Sequence, residues 1–106
     1  MTKPIEEYSD FELNRAIAKK LGFETGWQSG DKIGIVDGTA TGRYVDYCNN
    51  WNDLMPLVIE YGISLKANKR DNEWIANSNL SSSRNSNPKR ALAECLLKVL
   101  ETNKDE

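Results

Sequence analysis

Between Asn87 and Thr102 the chain places Leu92, Cys95, Leu96, Val99 and Leu100 at helical spacing, with Ala91 and Leu97 widening the apolar stripe. A stripe that broad needs cover over much of the helix's circumference, so this helix is expected to be the most deeply buried one in the fold. Its start is marked by Asn87-Pro88, a capping residue followed by the residue best suited to the first helical position. The rest of the chain has to supply the cover. With 106 residues it can do so as one domain, 1–106, and hardly as two.

Two further helices are legible. Ser9 or Asp10 can cap a helix that places Leu13, Ala16, Ile17 and Leu21 on one face and stops at Gly22. Glu12 near its start and Lys19 and Lys20 in its last turn suit the helix dipole. The segment from Asn52 to Gly62 is the other. There Pro56 belongs in the first turn, where backbone N–H groups lack helical partners, which puts the cap at Asp53.

Strands are expected at Lys32–Val36 and Arg43–Tyr47, joined by the glycine-bearing loop 37–42, and at Ile63–Ala67 and Glu73–Asn77, joined by a turn. The segment Phe23–Asp31 reads as a loop whose Trp27 folds back on the core. The serine-rich segment 78–86 reads as a mobile polar loop. The order is α-β-β-α-β-β-α. It implies an α+β fold, a single-domain three-layer α/β/α sandwich around a mainly antiparallel four-stranded sheet.

Histidine is absent from the sequence, which removes the commonest general base and the commonest metal ligand. Cys48 and Cys95 are too few and too far apart for a zinc site or a disulfide framework, and both read as small buried apolar side chains. Cys48 has no neighbouring base to activate it as a nucleophile. Gly38 and Gly42 lack the Gly-Lys-[Ser/Thr] ending of a phosphate-binding loop and fit hairpin turn chemistry instead. No metal, cofactor or catalytic group is expected, so the chain reads as a non-enzyme. A net charge of −2 argues against a nucleic-acid binder with a whole-molecule basic field. No long apolar run suggests a membrane span, and the first residues carry no signal-peptide pattern, which points to the cytoplasm.

Two groups of residues stand out as binding candidates. In Asp46-Tyr47-Cys48-Asn49-Asn50-Trp51 the amides of Asn49 and Asn50 suit turn and cap hydrogen bonds, while Tyr47 and Trp51 form the aromatic pair of an interface hot spot. Around the start of the last helix, where Asn87 is the cap, Arg84, Lys89 and Arg90 present cations where a helix N-terminus favours anions. The first group suits a macromolecular contact. The second suits a small-ligand module binding a nucleotide or another anion.

Three stretches, YSDFELNRAIAKKLG at 8–22, YVDYCNNWNDLMPLVIEYGISL at 44–65 and NPKRALAECLLKVL at 87–100, resemble the NinX-type proteins of lambdoid phages. The Asp-Tyr-Cys-Asn-Asn segment is the most specific part of the likeness, and Trp51 stands where that family commonly has proline. The resemblance implies the phage α-β-α sandwich group and a phage accessory protein in the host bacterial cytoplasm. Such a protein acts by binding a host or phage protein, in counter-defence or in modulation of a host enzyme.

Overall fold

The structure is a computed structural model and describes residues 4–36 and 42–103. Helix α3 (Pro88–Asn103) opens where Asn87-Pro88 predicts, and every residue from Ala91 to Leu97 is buried, followed by Val99 and Leu100. Seven consecutive buried residues span two turns, so α3 is enclosed on all sides along its middle. Helix α1 (Asp10–Lys20) packs against it, and α2 (Trp51–Glu60) packs on it from another direction. Ser9 caps α1 through a reciprocal pair: its hydroxyl accepts the Glu12 N–H at 3.1 Å, and the Glu12 carboxylate accepts the Ser9 N–H at 2.8 Å. Gly22, at φ +91°, ends the helix in a conformation that a side chain would strain.

The fold is α+β, but the strands differ from the expected single four-stranded sheet. Among the described residues, six strands form two separate three-stranded antiparallel sheets, β1 (Glu24–Ser29), β2 (Lys32–Val36) and β3 (Arg43–Val45) in one, β4 (Ser64–Asn68), β5 (Glu73–Asn77) and β6 (Ser82–Asn85) in the other. The first sheet rests on α1, the second on α3, and α1 on α3. Helices α1 and α3 therefore stand between two sheets, whereas the sequence suggested one sheet between layers of helices.

Both missed strands are polar edge strands. β1 is almost wholly exposed and has no apolar alternation, and a register shift between Thr25 and Trp27 interrupts its pattern further. β6 lies within the expected polar loop 78–86 and pairs Ser82–Asn85 with Asn77–Trp74. The expected hairpin loop 37–42 falls, apart from Gly42, outside the described residues.

Helix α2 also starts earlier than Pro56 suggests. Asn50 is its cap, accepting the Asn52 N–H at 2.9 Å, so Pro56 lies inside the helix. Asp53, the expected cap, instead accepts the Asp46 N–H at 2.9 Å and sits 3.4 Å from the Arg43 guanidinium. A proline in the interior removes one helical hydrogen bond, which the cap and this tether help to offset.

One polar side chain lies in the core between these elements. Asn14, fully buried on α1, donates to the Asp31 carbonyl at 2.8 Å and the Asp46 carboxylate at 2.9 Å, and accepts the Cys48 N–H at 3.1 Å. It thus binds α1 to the β1–β2 turn and to the segment that follows β3. Asn14→Ala removes all three bonds and leaves the buried Cys48 N–H without this partner, and we expect it to cost about 2–4 kcal/mol, read as a lowered urea midpoint at unchanged slope.

Candidate functional site

The segment Asp46-Tyr47-Cys48-Asn49-Asn50-Trp51 leaves β3 as a tight turn, with the Asn50 N–H donating to the Asp46 carbonyl at 2.9 Å. Asp46, Tyr47 and Cys48 are buried, while Asn49 and Asn50 stay exposed. The Asn49 amide reaches Asp10 at 3.2 Å and Asp46 at 3.2 Å, so one side chain joins the start of α1 to the turn. Tyr47, expected in the contact pair, is buried at 3% exposure, and burial pushes its hydroxyl up to about 12. Cys48 is buried as well. Burial, and then the Asp10 carboxylate, push its thiol far above the ordinary range, so it is a core thiol. Cys95 is likewise buried in α3.

The basic group around α3 is brought together only in part. Arg84 lies on β6 opposite Ile75, with its guanidinium 3.8 Å from Glu73. Asn87 caps α3, its side-chain oxygen accepting the Lys89 N–H at 2.9 Å and the Arg90 N–H at 3.4 Å. Arg90 turns inward and is only 11% exposed, held by Asp10 at 2.6 Å, by Glu94 at 2.7 Å and by the Tyr8 and Ile5 carbonyls. Asn87 and Arg90 are thus committed to the fold, and an anion arriving at this helix start would compete with the cap and two carboxylates.

Lys89 behaves differently, and it links the two candidate groups. Its ammonium stands 4.8 Å from the centre of the Trp51 ring, within cation–π range. Trp51 is 38% exposed, and along α2 it is followed at helical spacing by Met55, 36% exposed, and Ile59, 75% exposed. These three side chains form an apolar ridge facing water. Beside it runs a groove of about 330 Å³ between α2 and the end of α1. Leu21, Phe23, Pro56, Leu57 and Tyr61 line its apolar part, and Arg43, Asn52, Asp53 and Glu60 are among its polar lining.

A second aromatic surface lies on the outer side of the first sheet. Trp27, expected to fold back on the core, is 41% exposed and meets Tyr44 edge to face at 6.3 Å. The indole lies on the backbone at Gly34 and Gly42, where a Cβ would overlap the ring, so both positions require glycine for close approach.

Sequence reasoning singled out Trp51 and Lys89 but missed Met55 and Ile59, although their steps of four residues from Trp51 were visible. It also missed Asn14, whose signal was a polar residue on the same helix face as Ile17 and Ala18. Among the described residues, no cluster of His, Cys, Asp and Glu side chains is arranged to hold a metal ion, and no helix is long and apolar enough to cross a membrane. Compared with models of protein families and with curated proteins, the chain matches none.

The site chemistry yields two expectations. In the native protein, iodoacetamide should modify Cys48 only as fast as the chain opens, with full labelling in denaturant; rapid native labelling would contradict a core thiol. Arg90→Leu strands Asp10 and Glu94 without their cation, and should lower stability by about 3 kcal/mol in a denaturation curve.

Proposed function

We propose that this chain is a phage-encoded, non-enzymatic accessory protein that acts by binding a host or phage protein in the host cytoplasm, and that the Trp51, Met55 and Ile59 ridge is its contact face. One observation carries the reading: three large apolar side chains stand exposed in a row on α2 while Leu54 and Val58 of the same helix are buried. Folding places the second pair in the core and leaves the first three in water. Apolar surface gathered in one place, with an aromatic and a cation at its edge, has the composition of an interface hot spot.

The chemistry nearby favours contact over catalysis. The one nucleophile in the segment, Cys48, is buried with its thiol held protonated, and the carboxylates Asp10, Asp46 and Asp53 are engaged in hydrogen bonds that hold the turn and α2 in place. Occupying a surface on a host enzyme or defence protein needs only shape and a desolvated apolar patch. The ridge can supply both.

Trp51 separates a contact face from a packing seam. Trp51→Ala should cost about 1–2 kcal/mol of stability, short of the roughly 3–5 kcal/mol of a fully buried aromatic. Ile59→Asp should leave stability within about 0.5 kcal/mol. Each should weaken capture of the partner from a phage-infected host extract by about 2 kcal/mol or more, relative to the parent chain. Capture unchanged in Ile59→Asp, with its melting temperature also unchanged, would remove the ridge from the contact.

A further inference from the structure

We infer that the α2 ridge is covered by a second copy of this chain while no other partner is bound, the two α2 helices lying antiparallel across a two-fold axis. The inference rests on the ridge being a contact face, and it names what occupies that face in the free protein.

Charge placement argues for this occupant. Lys89 stands over Trp51 at the start of α2, and Glu60 closes the helix at its other end, exposed beside Ile59. The two ends of α2 are about 13 Å apart along its axis, so Lys89 and Glu60 of one chain are too distant to pair. An antiparallel second copy brings each Lys89 to the other chain's Glu60, places Met55 against Met55 near the axis, and sets Ile59 against Trp51. The same symmetry opposes the helix dipoles. A parallel arrangement would instead bring Lys89 against Lys89 and Glu60 against Glu60.

Shape is consistent with that pairing. The ridge and the groove lined by Pro56, Leu57 and Phe23 are neighbours on one face, so each copy offers both a projection and a recess, as a self-complementary contact requires. A stable dimer buries about 800 Å² on each partner, and a ten-residue helix face with one groove wall supplies less, so the pair is expected to be a weak one. A contact that weak shields the ridge at high concentration and yields to a partner that fits better.

Sedimentation velocity from about 10 μM to about 1 mM, a range that covers weak pairing, tests it. The parent chain should shift from one to two protomers over this range. Ile59→Asp should stay monomeric with an unchanged melting temperature. Lys89→Glu and Glu60→Lys should each weaken the pair at least tenfold, and the double variant should recover it. A parent chain that remains monomeric throughout, a dimer that survives Ile59→Asp, or a double variant that fails to recover each overturns the inference. Partner capture is read separately at low concentration. A monomeric chain that still loses capture on Ile59→Asp therefore sinks the self-pairing alone.

Discussion

Arg90 is a cation in the first turn of α3, where the helix dipole disfavours it, and it is almost out of water. It persists there because a guanidinium offers five N–H donors in one plane, and the surrounding elements present acceptors in several directions. Asp10 comes from the start of α1, Glu94 from the next turn of α3, and the Tyr8 and Ile5 carbonyls from the N-terminal turn. One side chain thus fixes the first residues, α1 and α3 relative to each other. Burial opposes its charge, yet the hydrogen bonds to Glu94 and Asp10 outweigh that effect and raise its pKa. Glu94 shows the opposite balance: burial outweighs Arg90 and raises its carboxyl, and its Oε1 has no hydrogen-bond partner.

Those shifts give the acid range two opposing contributions. Glu94's folded pKa is raised, so its contribution is fully present below the ordinary carboxylate range and is lost as pH climbs through the raised value. Glu6 is lowered, first through its hydrogen bond to Lys98, so its contribution is present above the ordinary range and is lost as pH falls through the lowered value. Arg90 specifies, through Asp10, how α1 meets α3, and its buried pair with Glu94 lies within α3 and adds little net stability. Burying two charges costs about as much as their attraction returns.

Much of this arrangement was legible, and the illegible part has a consistent cause. The broad stripe from Ala91 to Leu100, the helix start at Ser9 or Asp10 and the strands rich in branched residues follow local rules, and they appear close to where those rules put them, β3 ending at Val45 rather than Tyr47. What failed depended on partners distant in sequence. β1 and β6 are strands because β2 and β5 offer them an edge, and their own residues carry no apolar alternation. Gly30, at φ +62° beside Asp31, was the local sign of the β1–β2 hairpin. Pro56 misled because a steric rule placed it in the first turn, while Asn50 and Asp53 held the helix start one turn earlier. At the candidate site, spacing revealed Trp51 and Lys89 separately. Their contact across 38 residues of chain was not readable before the fold brought α2 to the start of α3.

The Asp46 to Trp51 segment separates two kinds of requirement. Its amides and carboxylate bind Asn14, Asp10 and the start of α2, so the turn is a junction on which three elements depend. Asn14 suits its place because an amide donates and accepts at once, which neither a carboxylate nor an ammonium does. With α2 oriented by Asn50 and Asp53 and seated on the core through Leu54 and Val58, folding asks little of its outer side. Polar residues there would lie in water at no cost, as Asn52 does. Met55 and Ile59 are instead apolar, and Ile59, 75% exposed, gains little from burial on folding. The fold does not require them, and it supplies Trp51 and Lys89 at the end of the same ridge, which is why this ridge is the face we propose as a contact.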